Sequence, residues 1–335
     1  MDTEIYFHYR TQRKSLAGFT KDRPRVYSHS MKIVSLFILF CWASVVFGLE
    51  DAVSDTYVPA QSISENASRV NLKLRSHAAI VFDERDNEVI MARNAEEVLP
   101  VASLSKLMTA MVILDADLGM EEVITITKDD KDRIRYSKSR LRAGMRFKRK
   151  DLLLIALAAS ENRAALALAR TYPGGSEAFV SDMNRKAQNL GLTQTRFADP
   201  AGLSNDNIST AQELMQLVKA ASDYPVIRDY STQTRQSVID LKSQREITFG
   251  NTNRLVKKVS WPISLSKTGF TKDAGNCLVM QTQINARPVI IVLLNSWGTL
   301  SKYGDSNRIK KWLTKVERLV MNENWDQRTI LSNIE

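Results

Sequence analysis

The chain has 335 residues, 44% of them hydrophobic and 25% charged, with a formal net charge of +10. That is the mix of a globular protein of one large or two small domains. Two Cys and three His, with no CxxC and no paired Cys/His spacing, argue against a metal site; 13 Gly that form neither GxGxxG nor GxxxxGK[ST] leave nucleotide cradles unsupported, and no cofactor is expected.

The first 48 residues read as a leader. Residues 33–48, IVSLFILFCWASVVFG, are uncharged and follow Met31 and Lys32. Sixteen residues suit the apolar core of a signal peptide better than a membrane span of about 20. Val46 and Gly48 are small enough for the −3 and −1 sites, which sets cleavage before Leu49; the alternative is an uncleaved anchor. Cys41 does not make a lipoprotein signal, because Phe40 is bulky where a small residue is needed. Residues 1–30 are polar, basic and far longer than an ordinary n-region, so they read as an over-extended start before a signal peptide at 31–48, or else as a long n-region. The expected location is the periplasm. Without the leader the charge falls to +6, since seven basic and three acidic residues go with it. That suits an anionic surface or polymer and at most a loose membrane association, and it is no nucleic-acid signature. Cys277 and His77 become the sole Cys and His, so no intramolecular disulfide is possible.

Residues 49–74 are polar without periodicity and read as a loosely packed arm. A main domain over 75–325 and a tail at 326–335 follow. Ala78 opens two strand-like runs around a turn at Asp83–Asn87. Pro100 precedes a helix from Ser103 to about Leu118, with Leu104, Leu107, Met108, Met111 and Leu114 on one face. Glu122–Thr127 alternates as a strand does. Asp151–Ala169 is apolar nearly all round, as in a buried helix. Helices at Ser176–Leu190 and Thr210–Ser222 flank a loop, DPAGLSND, at 199–206. Strand-like runs at Ile263–Lys267, Asn276–Gln283 and Val289–Leu294 precede an amphipathic helix over 309–320. The expected class is α/β of the α+β kind: early and late strands share an antiparallel sheet flanked by helices, and the middle helices form a second lobe.

Three short motifs carry chemistry. Ser103-Leu104-Ser105-Lys106 puts a hydroxyl and an amine three residues apart at a helix start, where the amine can take the hydroxyl proton if its pKa is depressed. The free N–H groups of the helix start can hold an oxyanion. A second copy, Ser264–Lys267, lies in a strand, where those side chains face opposite ways. Ser160-Glu161-Asn162 ends a buried helix and offers a hydroxyl for proton relay and an amide for orientation; its decoy, Ser64-Glu65-Asn66, falls in the polar arm. Lys267-Thr268-Gly269 occurs once: a Lys and a Thr can bind a carboxylate, and Gly allows close backbone approach of a substrate. The order and spacing of the three are those of penicillin-binding proteins and serine β-lactamases.

Beyond these motifs, VASLSKLMTAMVILDA (101–116), SRLRAGMRFKRKDLLLIALAASENRAALALARTYPGG (139–175), FADPAGLSNDN (197–207) and SKTGFTKDAGNCLVM (266–280) make the chain resemble the penicillin-interacting serine D,D-peptidases of the peptidase S11 family. It looks closest to D-alanyl-D-alanine endopeptidases of the penicillin-binding protein 7 type. The resemblance implies a sheet with a helical lobe and the active site between them. It implies Ser103 as the acyl-forming nucleophile, Lys106 as proton acceptor and Ser160 as relay to the leaving amine. Asn162 would orient Lys106 and substrate, and Lys267 and Thr268 would bind the substrate carboxylate. Gly269 leads into Phe270, whose backbone N–H would complete an oxyanion hole with that of Ser103. The implied partners are peptidoglycan peptide cross-links (D-Ala–diaminopimelate) and β-lactam inhibitors, with no metal.

One departure concerns β-lactamase activity. The deacylating Glu of class A enzymes would fall at Arg196, where this chain has no acid, so a β-lactam acyl-enzyme is expected to persist. The chain also ends at Glu335 without the β-rich C-terminal domain and anchor of the classical carboxypeptidases, which favours an endopeptidase over a D,D-carboxypeptidase. A non-catalytic wall-fragment binding module is the reading from another class. Of the remaining features, the basic stretch Arg133–Lys150 reads as a solvated face, Cys277 as a buried apolar side chain and Trp261 as a core anchor.

Overall fold

The computed structural model describes residues 57–332, with side chains to 325. The expected leader, its cleavage site and the first residues of the arm lie outside the described residues. The helices are α1 (Ala60–Asn66), α2 (Lys106–Asp115), α3 (Arg149–Ala158), α4 (Asn162–Arg170), α5 (Gly175–Asn189), α6 (Ala211–Ser222), α7 (Pro225–Thr232) and α8 (Ser301–Ser332). The strands are β1 (Ser76–Asp83), β2 (Glu88–Arg93), β3 (Leu99–Pro100), β4 (Val123–Thr125), β5 (Arg146–Lys148), β6 (Ile208–Ser209), β7 (Arg235–Asp240), β8 (Arg245–Gly250), β9 (Ile263–Thr271), β10 (Gly275–Ile284) and β11 (Arg287–Ser296).

Five strands form an antiparallel sheet in the order β2-β1-β11-β10-β9, so the early and late strands do share one sheet. The runs of Val, Ile and Leu in β1, β10 and β11 are buried on both faces, hence nearly continuous rather than alternating. Asn285 and Ala286, both in the left-handed region, make the two-residue turn that joins β10 to β11. One face packs on α6 and the helical lobe through Ile80, Val279, Ile290 and Val292. The other packs on α1 and α8 through Val81, Leu278, Ile291 and Leu313. Each such side chain contributes about 1.5–3 kcal/mol by leaving water.

The structure corrects the sequence reading in several places. The arm at 49–74 is not loosely packed throughout: it holds α1, and Ala60 and Ile63 are fully buried against the sheet. Its polar residues face out, and two well-placed apolar ones suffice for docking. The single helix expected over Asp151–Ala169 is two, α3 and α4, broken where Ser160 takes a left-handed φ of 59° and Glu161 caps Arg163 N–H. The last helix is 32 residues long rather than 12, because its polar ends carry no apolar period to read. Helix α7 and the β7–β8 hairpin, at 225–250, were not anticipated. Among the described residues, no helix is long and apolar enough to cross a membrane.

The back of the sheet carries one buried charge network. Arg287 bonds Asp83, Glu317 at 2.8 Å and the Val58 carbonyl, tying β11, β1, α8 and the segment before α1 together. Asp305, at 0% exposure near the start of α8, accepts from the Arg75 and Ser76 N–H groups and the Ser76 hydroxyl.

Candidate active site

The site lies where β9, at the sheet edge, meets the first turn before α2 and the break between α3 and α4. Ala102–Ser105 is a 3-10 turn rather than the α-helix expected from the sequence. With three residues per turn, it stacks Ser103 and Lys106 directly above one another. Lys106 Nζ sits 2.9 Å from Ser103 Oγ, 2.7 Å from Asn162 Oδ1 and 2.5 Å from the Ala201 carbonyl. In the charged form the ammonium donates to all three. In the neutral form it donates to Asn162 and Ala201 and keeps a lone pair for the Ser103 hydroxyl, the arrangement a base requires.

Lys106 is 1% exposed and makes no ion pair among the described residues. Burial lowers its pKa to about 7, opposed by the more distant charges of Asp199, Glu161 and Asp132. Lys267 is equally buried; Nζ donates to Ser160 Oγ and to the Thr268 carbonyl, each at 2.9 Å. Burial, then the positive charges of Lys106 and Lys302, hold its pKa well below the ordinary lysine range. The three motifs thus meet in one trio, Ser103–Lys106–Asn162, and one pair, Ser160–Lys267. The second copies stay apart: Ser264 is exposed and bonds Gln281, while Ser64-Glu65-Asn66 lies in α1.

Two glycines are explained by backbone contact. A Cβ on Gly269 would stand 2.9 Å from the Val101 carbonyl, and one on Gly202 only 2.0 Å from the Ala102 carbonyl. Gly269 therefore lets β9 press against the turn that carries Ser103, a contact within the protein rather than the approach of substrate expected from the sequence. Ala102, between these contacts, is itself in the left-handed region at φ 49°. Phe270, next on β9, is 63% exposed at the sheet edge.

Several functional positions had no mark in the sequence. Asn162 Nδ2 donates to Ser137 Oγ at 2.9 Å, which fixes the amide with its oxygen toward Lys106. Ser137 N–H in turn donates to Asp132. Against the upward push of burial, hydrogen bonds including those of Ser137 and the Arg135 N–H hold that carboxylate below its usual range. Thr268 Oγ1 donates to Thr252 Oγ1 at 2.7 Å, and the Thr252 N–H bonds the Ala158 carbonyl, clamping β9 to the end of α3. Asn253, beside it, donates to Ser266. The carboxylate of Asp199 accepts from the N–H groups of Ala201, Leu203 and Ser204 and is spent on shaping the loop that presents the Ala201 carbonyl. Only Asp199 had a sequence signal, an Asp ahead of Pro, Gly, Ser and Asn. His77 lies on the surface paired with Glu97, and burial raises the Cys277 thiol pKa to about 11. No group of three or more His, Cys, Asp or Glu side chains that could hold a metal ion occurs among the described residues.

Comparison with known proteins agrees with this geometry. D-alanyl-D-alanine endopeptidases of Pseudomonas aeruginosa and Escherichia coli are each 41% identical to the chain, over 84% of it and 88% of the relative. The Streptomyces K15 DD-transpeptidase superposes with a TM-score of 0.67 at 25% identity, over 72% of this chain and 98% of that one. Penicillin-binding protein D2 of Listeria monocytogenes, in its cefotaxime-bound form, gives 0.63 at 27% identity, over 74% and 98%. The peptidase S11 profile, described as D-alanyl-D-alanine carboxypeptidase, matches residues 63–298, and the chain belongs to that family.

Proposed function

We propose that the chain is a penicillin-sensitive serine D,D-endopeptidase that opens D-Ala–diaminopimelate cross-links of peptidoglycan, exported to the periplasm by its leader. The observation that carries the chemistry is the contact of Ser103 Oγ with a buried lysine amine whose pKa is lowered to about 7. Neutral Lys106 accepts the Ser103 proton as Oγ attacks the D-Ala carbonyl. The Ser103 and Phe270 N–H groups hold the oxyanion. Ser160, polarised by Lys267, passes its proton to the leaving amine and is reprotonated by the Lys106 ammonium; the C–N bond breaks to leave a seryl ester and a neutral Lys106. Thr268, with Lys267 behind it, binds the substrate carboxylate. Water then attacks the ester, its proton taken by Lys106; the acyl C–O bond breaks, and Lys106 returns the proton to Ser103 Oγ.

The 41% relatives favour the endopeptidase over the carboxypeptidase that the family description names. A β-lactam ester is expected to persist because Arg196 stands where class A β-lactamases have their deacylating Glu, and Asp199, three residues on, is occupied by backbone N–H groups and does not replace it. Incubation of the enzyme and of Ser103→Ala with cross-linked and monomeric muropeptides, read by mass spectrometry, tests the proposal. Serine-dependent opening of dimers supports it. Release of D-Ala from monomers alone assigns a carboxypeptidase, and no product from either leaves a binding module. Rapid multiple-turnover hydrolysis of nitrocefin would overturn the penicillin-sensitive part.

A further inference from the structure

On the face of the sheet opposite the candidate active site, α8 and the loop before β9 enclose an open groove of about 810 Å³. Trp261 closes one wall; Lys310, Lys311, Thr314, Lys315 and Arg318 form the other, and the lining holds no Asp or Glu. Lys310 stacks its ammonium 5.1 Å from the centre of the Trp261 ring and donates to the Ser260 carbonyl, which joins helix and loop. Lys311, Lys315 and Arg318 are exposed at i, i+4 and i+7, and none makes an ion pair among the described residues. Lys257 and Lys258, on the loop that supplies Ser260, are exposed and equally without one. Glu317, the nearest acid in sequence, points inward to Arg287.

The contrast with the basic stretch 133–150 is informative. There five of the nine charges are paired internally, Arg133 with Asp129, Arg135 with Asp273, Arg149 with Glu122, and Lys148 and Lys150 with Glu121, which leaves Lys138, Arg140, Arg142 and Arg146 without an ion pair among the described residues. That stretch behaves as a solvated face, whereas the α8 groove concentrates several unneutralised cations in a concavity. Such an arrangement attracts a linear anion, because field lines converge in a low-dielectric cleft. Residues 310–318 span about 12 Å of helix, the length of an extended segment of three or four residues. A concave groove whose lining holds Trp261 as its one apolar residue fits a chain better than a planar bilayer, with Val259, Met321 and Trp325 exposed outside that lining.

We infer that this groove is a second binding site for the carboxylate-bearing stem peptides of the peptidoglycan polymer itself. The inference rests on the proposed function for the identity of the polymer. The groove lies six residues before Lys267 along the chain that leads into β9, on the order of 20 Å away, so one protein engages two points of the mesh. Occupancy of the groove holds the enzyme on the sacculus between cuts and raises the local concentration of cross-links at Ser103.

The test uses the exported chain with Lys311→Glu, Lys315→Glu and Arg318→Glu combined, and a parallel variant with Gln at the same three positions. Cosedimentation with purified sacculi is measured in the Ser103→Ala background, so that cleavage does not enter. The expected result is salt-sensitive binding that falls tenfold or more in the Glu variant, falls less in the Gln variant, and is lost when sacculus carboxylates are blocked as amides. Cleavage of sacculi by the Glu variant falls in step, while cleavage of soluble dimeric muropeptides and acylation by penicillin stay within twofold. Unchanged binding by the Glu variant, indifference to blocked carboxylates, or binding to phosphatidylglycerol vesicles in place of sacculi overturns the inference. If the wild-type enzyme cuts no soluble dimer, the endopeptidase reading fails, and the cosedimentation result still decides the groove.

Discussion

Two buried polar networks lie on opposite faces of the same sheet, and they handle charge in opposite ways. Behind the sheet, Arg287 is met by the carboxylates of Asp83 and Glu317, with that of Asp86 at 4.0 Å. In front of it, Lys106 and Lys267 are just as buried and meet only hydroxyls, amides and carbonyls. The first network compensates its charge and joins distant segments; removing one member strands the others. The second leaves two ammonium groups uncompensated, so that burial pushes both toward the neutral form. Binding strength is given up there for basicity at neutral pH, the usual cost of a reactive site.

Breaking the front network at the nucleophile has the largest expected effect. Ser103→Ala abolishes acylation by penicillin, a loss of at least about 10⁴-fold, read as the missing mass adduct. Lys106→Met comes next, with acylation slowed by about 10³-fold. Its stability moves the other way. The folded pKa of about 7 lies below the ordinary 10.5, so the unfolded chain binds the extra proton between those values, and stability rises with pH across that window. Below about 7 the buried charge is a cost, and Lys106→Met therefore melts at the same temperature or higher at pH 6, by calorimetry. A clear drop would show that the lysine is compensated after all.

Behind the sheet the prediction reverses. Arg287→Met strands Asp83 and Glu317 and lowers unfolding stability by about 3–5 kcal/mol in a denaturant titration. Acylation of the molecules that remain folded is unchanged. The smallest effect is expected at Ser137→Ala, which frees Asn162 to turn its amide: acylation slows about threefold to tenfold, with melting little altered. Comparable melting losses for Arg287→Met and Ser137→Ala would erase the distinction between the networks.

How much of this was legible in the sequence depends on the range of the forces involved. The strands β1, β10 and β11 announced themselves through nearly continuous apolar runs, and helices α5 and α6 were legible as helical stretches between turn residues. The three motifs stood out because each is short and local, and their order foretold a meeting the structure displays. The break at Ser160 was hidden inside an apolar run, since a left-handed serine leaves no pattern around it. Strand β7 does alternate, with Gln236, Val238 and Asp240 buried, but two of those three inward residues are polar and mask the period. Ser137, Thr252 and the Ala201 carbonyl are brought to the site from 16 to 98 residues away, and nothing local distinguishes them. Gly269 shows a subtler gap: the sequence marked it, but only packing against Val101 gives the reason.

The central claim is that a neutral Lys106 activates Ser103. Its most direct test is the second-order rate constant for acylation by a β-lactam, measured from pH 5 to 9 on the wild-type protein and on Lys106→Met. The account predicts a rate that climbs as pH rises through about 7 and then levels, with the climb absent from the variant. A wild-type rate that is flat across this range, or a climb that survives in Lys106→Met, would contradict it.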